Sequence, residues 1–255
     1  METFSLFSIF ENKANLDILN TLKNKSLTKT ELIEKIPISS LGANLTKLKN
    51  LGLVEQKQQK FLLNKKGNLI LQKIFLMNFI SKNNQYFLTH DFGDVPPNMI
   101  SKINCMHECE LVMGTFPTVS RLKNIVNNAQ KFLYCIFTQP PFLLADPIYD
   151  KISNDVDLFL LFGKNSDVPD CNDLVEKLEL DKPKQHKFKQ RISENIQINI
   201  ITSENQACVM LPDRNGVTDM QNCIIGNSTD FIKWCHDFFN YKWESSESFS
   251  RLRDF

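Results

Sequence analysis

Leucines recur at helical spacing in the N-terminal third of the chain. These apolar positions are Leu41, Leu45, Leu48 and Leu51. Steps of four, three and three residues place them on one face of a helix. Ser39 or Ser40 is a suitable N-cap, and Gly52 follows where a left-handed residue ends many helices. The pattern therefore predicts a short helix with an apolar back, and it assigns Ser40, Asn44 and Lys47 to the opposite, polar face.

Two interpretations of this helix are open. A slender face with small polar groups and lysine can enter the major groove of DNA, because it offers hydrogen-bonding groups without bulk. Most amphipathic helices, however, only cover a hydrophobic core. The segments on either side of the helix favour the first interpretation.

A second helix is predicted just before the leucine helix. Thr28 and Glu31 have the Thr-x-x-Glu spacing of a capping box, so a helix begins there. It ends before Pro37, because the residue that precedes a proline is pushed out of helical geometry. Two helices joined by a tight turn, the second one basic, form a helix-turn-helix arrangement.

A β-hairpin is predicted after the leucine helix. Segment 53–56, which begins with two apolar residues, and the apolar segment 61–63 flank the polar, lysine-bearing tip 57–60. A hairpin in this position is a wing, and its lysines would lie along DNA phosphates. Asn64 is suited to cap the next helix, which carries apolar residues over 69–80.

The remainder of the chain has a different hydrophobic pattern, in which short apolar runs are bounded by polar segments. Such runs are typical of buried strands, whereas alternation indicates a half-buried strand. Buried strands are predicted at 132–137, 156–162 and 207–211, an alternating strand at 196–200, and helices at 120–130, 174–178 and 231–241. Alternating strands and helices indicate an α/β domain.

The predicted fold class is therefore a two-domain α+β or α/β chain. Residues 1–82 form a winged helix-turn-helix domain with a linker helix, and residues 83–255 form an α/β effector domain. The glycine and paired prolines within 93–97 are the entrance to the second domain.

Charge is distributed unevenly between these two parts. The net charge of +1 over 255 residues is the sum of two unequal parts. Residues 1–80 contain twelve lysines and six acidic residues, and the remainder has an acidic excess. A basic segment on a mildly acidic body is expected if only that segment meets a polyanion. The alternative is that the lysines merely keep a small domain in solution.

The remaining features of the composition indicate a cytoplasmic protein. No run of eighteen apolar residues could span a membrane, and the N-terminus lacks the pattern of a signal peptide. Seven cysteines without a framework spacing favour free thiols. Cys105, His107 and Cys109, with Cys235 and His236, could begin a zinc site, but the spacing matches no common zinc motif. We therefore expect no metal and no cofactor.

Residues 14–67 resemble the winged-helix domain of the arsenic-repressor-like and related archaeal regulators. The resemblance rests on Leu45-x-x-Leu48-x-x-Leu51-Gly52-Leu53-Val54 and on Phe61-x-Leu63-Asn64-x-x-Gly67. The family usually has threonine where this chain has Asn64. The cysteine motif of the arsenic-type metal sensors is absent, so the resemblance does not imply metal sensing.

The second part is similar to the effector domain of the methanogen filament-formation regulator family. The similarity covers residues 88–245 and includes Cys109-Glu110-Leu111-Val112 and Phe231-x-x-Trp234-x-x-x-Phe238-Phe239-x-Tyr241. It implies a transcriptional regulator with a C-terminal sensing or assembly domain. Related effector domains resemble phospholipase D-like folds, whose catalysis needs two His-x-Lys motifs. None of the four histidines here is followed two residues later by lysine, so we expect no enzyme of that class.

These observations predict a DNA-binding transcriptional regulator that acts as a homodimer and responds to an unknown small-molecule effector. The rival hypotheses are a winged helix that binds another protein as a scaffold subunit, and an enzyme with an unfamiliar site in the α/β domain. The candidate DNA contacts are Ser39, Ser40, Asn44, Lys47 and Lys49 on the leucine helix, Lys57 and Lys60 on the hairpin, and Lys29 or Lys65 nearby.

Overall fold

The computed structural model describes residues 12–36, 39–139, 142–153, 156–164 and 188–248. The chain divides into two compact units, Met1–Phe79 and Ile80–Phe255. The predicted boundary after residue 82 falls three residues beyond this division. The helix predicted at 174–178 lies outside the described residues, as does Pro37.

Unit 1 combines helices with a small antiparallel sheet. Its elements are α1 (Lys13–Thr21), β1 (Leu27–Thr28), α2 (Lys29–Lys35), α3 (Leu41–Asn50), β2 (Val54–Lys57), β3 (Lys60–Leu63) and α4 (Lys65–Lys82). The sheet has the order β1-β3-β2, and β2 and β3 form a hairpin. The leucines of α3 are buried with apolar residues of the other elements in one continuous core.

Two predicted signals of helix ends are confirmed, one at the start of α2 and one at the end of α3. Thr28 and Glu31 form a reciprocal capping box at the start of α2. Gly52, at a φ of +64°, follows α3 in the left-handed conformation. The Leu53 amide donates to the Leu48 carbonyl and the Gly52 amide donates to the Lys49 carbonyl. These two bonds are a Schellman motif, which satisfies carbonyls that the helix end would leave unpaired.

The hairpin turn is built without glycine. Lys57 pairs with Lys60, so only Gln58 and Gln59 lie between the strands. Gln58 takes a φ of +56°, a conformation that costs a non-glycine residue about 1–2 kcal/mol. The Asn-Gly or Asp-Gly pair that usually marks a two-residue hairpin does not occur at this turn.

Asn64 joins the end of α3 to the start of α4. Its side-chain oxygen accepts from the Gly67 amide at 2.8 Å, and its Nδ2 donates to the Gly52 carbonyl at 2.9 Å. Gly67 packs directly on the Leu53 carbonyl, so close that a Cβ on Gly67 would overlap that oxygen. The prediction that Asn64 caps the helix is confirmed.

In the part of the chain that the structure describes, unit 2 is built on an eight-stranded mixed sheet. Its helices are α5 (Asn84–Thr89), α6 (Pro97–Ile100), α7 (Thr115–Asn128), α8 (Ala145–Ser153) and α9 (Thr229–Glu244), with 3₁₀ turns at Ile103–Glu108 and Phe142–Leu144. Its strands are β4 (Glu110–Val112), β5 (Phe132–Phe137), β6 (Asp157–Gly163), β7 (Phe188–Ser193), β8 (Asn199–Ser203), β9 (Ala207–Met210), β10 (Cys223–Gly226) and β11 (Glu247–Ser248).

The sheet has the order β11-β7-β6-β5-β8-β9-β10-β4. Strands β5, β6 and β7 are parallel, and the other pairings are antiparallel. The predicted strands at 132–137, 156–162 and 207–211 are confirmed to within one residue at each end. The alternating strand predicted at 196–200 is wrong: β8 begins at Asn199, and all five of its residues are buried between β5 and β9.

A buried ion pair ties the start of unit 2 to its last helix. Lys242 Nζ lies 2.5 Å from Asp94 Oδ2, and the two side chains are 9% and 14% exposed. The same ammonium donates to the Asn195 carbonyl at 2.9 Å. Asp94 Oδ2 also accepts from the Gln197 amide. Because the ammonium and the carboxylate pair with each other, neither charge is left alone in the interior, although Asp94 Oδ1 is buried without a hydrogen-bond partner.

Among the described residues, no helix combines the length and the apolar character needed to cross a bilayer.

Candidate nucleic-acid interface

The solvent-exposed face of α3 is made of small and polar residues. A shallow depression along it is lined by Gly42, Ala43, Thr46, Lys47, Asn50 and Leu51. Ala43, Thr46 and Asn50 are exposed, and Lys47 is half-buried beside them. No acidic residue occurs in α3. The face is therefore narrow, uncharged at its centre and cationic at its margin.

Asn44 does not belong to this face, so its predicted place on the exposed polar side of the helix is wrong. It is only 6% exposed, and its Nδ2 donates to Ser40 Oγ at 3.1 Å. Successive residues of an α-helix are rotated by about 100°, which places Asn44 about 45° from the centre of the face formed by the four leucines. Asn44 therefore lies on the buried side of α3, with the leucines. The exposed face is instead centred on Thr46, which the sequence analysis did not select.

The residues before α3 are exposed, as a DNA-contacting turn requires. Ser39 and Ser40 are both exposed. Ser40 is the N-cap residue, but its side chain makes no capping hydrogen bond. Lys29, also exposed, extends from α2 toward the first turn of α3, and its Nζ would lie 3.6 Å from a Cβ on Gly42. A positive charge thus stands at the N-terminal end of the α3 face.

Lys49 points away from the centre of the face and toward the hairpin. Its Nζ donates to Gln56 Oε1 on β2 at 2.8 Å and lies 6.0 Å from the centroid of the Phe61 ring on β3. The position of Lys49 is therefore set by contacts between α3 and the hairpin. Gln56 was not among the predicted residues, because a lone glutamine in a strand carries no sequence signal of such a contact.

The predicted lysines of the hairpin and of α4 are exposed. Lys57 lies 3.9 Å from Glu55 in an exposed ion pair, and Lys60 and Lys65 project into solvent. Lys66, which the sequence analysis did not select, donates to the Leu51 carbonyl at 3.0 Å and so supports the end of α3. The structure thus places cations at both ends of the α3 face and along the hairpin.

Electrostatics in α2 follow from its capping box. Hydrogen bonds from the backbone and side chain of Thr28 lower the pKa of Glu31, and Lys60 and Lys25 add a smaller effect in the same direction. The Glu31 carboxylate therefore stays ionised. It is hydrogen-bonded to Thr28 at the N-terminus of α2, where a negative charge is favoured.

Of the cysteines considered for a metal, Cys105 and Cys235 are buried in unit 2 and Cys109 is half-buried. Burial raises the pKa of the Cys105 thiol to about 12, and it also raises the pKa values of Cys109 and Cys235. Among the described residues, no three Cys, His, Asp or Glu side chains are grouped to hold a metal ion.

Three histidines have structural contacts in unit 2. His90 Nε2 lies 3.1 Å from Asp219 Oδ2, and the His90 ring stacks on Tyr86 at 4.0 Å. His107 Nδ1 lies 2.6 Å from the Asn104 carbonyl oxygen, and His236 stacks on Tyr134 at 5.0 Å. Burial lowers the pKa of His236. The fourth, His186, lies outside the described residues.

No protein-family model and no curated protein matches the chain, but some solved structures are distantly similar to it. One is TrmBL2, an archaeal chromatin protein whose structure shows a novel mode of DNA binding. It is 15% identical, and the similarity covers 94% of this chain and 95% of that one at a TM-score of 0.44.

Two smaller proteins are similar to part of the chain. NucT from Helicobacter pylori is 12% identical over 55% of this chain and 98% of its own, with a TM-score of 0.42. Nuc from Salmonella typhimurium, a phospholipase D family member, is 10% identical over 56% and 99%, with a TM-score of 0.41. Similarities this distant do not say what the present chain binds or catalyses.

Proposed function

We propose that this chain is a transcriptional regulator that binds double-stranded DNA through unit 1. In this proposal unit 1 is a winged helix-turn-helix domain, α3 is its recognition helix, and the β2–β3 hairpin is its wing. The observation that carries the proposal is the exposed face of α3. Gly42, Ala43 and Thr46 leave it slender enough for a major groove, and Asn50 provides amide groups that can pair with a base edge.

The distribution of charge supports the same proposal. Lys29 stands at the start of the α3 face, Lys47 at its margin, and Lys57 and Lys60 on the wing. Lysines beside a groove-sized helix supply phosphate contacts, which provide affinity and orientation but no sequence information. A recognition helix without acidic residues avoids repulsion from the same phosphates.

We propose further that the regulator acts as a homodimer, because one small module buries too little DNA surface to be specific. Leu69 and Met77 on α4, which are 54% and 58% exposed, offer apolar surface for a subunit contact. Unit 2 would modulate DNA binding in response to an effector, without enzymatic activity. Such a protein would act in the cytoplasm, where the DNA is.

A negative charge at the centre of the α3 face tests this assignment. Thr46→Glu is expected to weaken binding to a duplex of about 20 base pairs by at least ~10-fold at about 50 mM salt, because the carboxylate would face phosphates and base edges. Thr46 is exposed and outside the core. Fluorescence anisotropy of labelled duplex with the full-length chain measures the change.

Asn124→Glu provides the matched control. It adds the same charge at an exposed position of α7, in unit 2, and is expected to leave the affinity within about twofold. Equal losses from both variants would mean that net charge alone governs binding, which would contradict the assignment of α3. Absence of binding by the unchanged protein would favour the protein-binding winged helix.

A further inference from the structure

We infer that Gln56 is a positioning residue for DNA binding: it holds the Lys49 ammonium in the angle between α3 and the wing, where that ammonium contacts a backbone phosphate. The inference rests on the proposed function and concerns the same surface. It assigns Lys49 to the phosphate backbone rather than to a base, and it gives a role to a glutamine that carries no charge of its own.

The position of Lys49 on the helix is at the edge of the exposed α3 face, on the side of the wing. Lys49 lies about 60° around α3 from Thr46, about 100° from Asn50 and about 120° from Ala43, if successive residues are rotated by about 100°. A side chain at that angle leaves the groove-facing side of the helix. It extends to the wing instead, and a wing lies along the backbone beside the groove.

Two residues of the wing fix the ammonium there. Gln56 and Phe61 are paired across the hairpin, and Lys49 Nζ contacts both, at 2.8 Å from Gln56 Oε1 and 6.0 Å from the Phe61 centroid. Gln56 Nε2 also donates to the Gln58 carbonyl at the wing tip. The glutamine amide thus connects the end of the recognition helix to the tip of the wing.

The chemistry of the amide suits this role better than a carboxylate would. An amide oxygen accepts one of the three ammonium N–H donors and leaves two for a phosphate. It does not neutralise the ammonium, and in the described part of the chain no carboxylate lies within ion-pair distance of Lys49. Lysine is a mobile point charge, so a partner that orients it reduces the entropy lost on binding.

A double-mutant cycle on the full-length chain tests the inference. Lys49→Met removes the charge and is expected to reduce the slope of log affinity against log salt by about 0.9. Gln56→Leu removes only the acceptor. It is expected to weaken duplex binding about threefold with an unchanged slope, because the charge remains but is no longer oriented.

The combination of the two changes is decisive. In the Lys49→Met background, Gln56→Leu is expected to change the affinity by less than about 1.5-fold, because there is no ammonium left to orient. Gln59→Leu, at an exposed neighbouring position of the wing, is the matched control and is expected to have no effect in either background. Thermal unfolding checks that every variant is folded.

Each outcome has one meaning. Binding by the unchanged protein with equal effects of Gln56→Leu in both backgrounds would overturn the positioning role and leave the proposed function intact. Failure of the unchanged protein to bind duplex at low salt would overturn the proposed function, and the role of Gln56 with it. A threefold effect of Gln56→Leu that disappears in the Lys49→Met background supports both the positioning role of Gln56 and the proposed function.

Discussion

Lys242→Met is expected to lower the free energy of unfolding of unit 2 by about 3–5 kcal/mol, because it leaves the Asp94 carboxylate buried without its partner. The side chains of Asp94 and Lys242 are 14% and 9% exposed, so solvent cannot replace the lost interaction. The two tryptophans of the chain, Trp234 and Trp243, both lie in α9. Denaturant unfolding followed by tryptophan fluorescence therefore reports on this unit.

Lys233→Met is the matched control for that change. Lys233 lies on the same helix and pairs with Asp237 at 2.9 Å, but its side chain is 68% exposed. Loss of an exposed pair of this kind is expected to cost less than about 1 kcal/mol. Equal effects of the two substitutions would show that the Asp94–Lys242 pair does not stabilise the unit.

Gly67→Ala is expected to destabilise unit 1 by about 2 kcal/mol. The added methyl group would overlap the Leu53 carbonyl oxygen and lie 2.7 Å from Leu63 Cδ1. Because the first neighbour is backbone, we expect an overpacking cost near 3 kcal/mol, offset by about 1 kcal/mol from the better helix propensity of alanine. The segment that would be displaced follows directly after α3, so the shape of the DNA-binding face would also change.

Gly42→Ala makes the same chemical change without the overlap. A Cβ on Gly42 would meet only the Lys29 side chain, at an ordinary 3.6 Å, so this variant is expected to gain up to about 1 kcal/mol. Far-UV circular dichroism follows both units, whereas tryptophan fluorescence follows unit 2 alone. A Gly67→Ala protein whose unit 1 unfolds at the same denaturant concentration as the unchanged protein would refute the packing argument.

The parts of unit 1 that were predictable are those specified by neighbouring residues. The capping box of Thr28 and Glu31 and the left-handed Gly52 each depend on contacts within a few residues, and both were predicted correctly. The burial of Asn44 was also predictable. At about 100° per residue it falls between Leu48 and Leu51 on the apolar side of the helix, so its assignment to the polar face misapplied the helical spacing.

Contacts between elements explain the remaining differences. The Lys49–Gln56 hydrogen bond joins residues seven apart on two different elements, and no local pattern specifies it. In unit 2, β8 was misplaced because a half-buried strand and a fully buried central strand differ in their neighbours rather than in their own composition. The mixed order of the sheet depends on pairings between distant segments, which strand periodicity does not encode.

The salt dependence of DNA affinity tests the central claim most directly. For the full-length chain on random duplex, log affinity is expected to fall linearly with log salt, and Lys47→Ala combined with Lys57→Ala is expected to reduce the slope by about 1.8. Lys131→Ala with Lys233→Ala, both exposed in unit 2, is expected to leave the slope unchanged. Absence of binding at low salt, or equal slopes for the two double variants, would contradict DNA recognition by α3 and its wing.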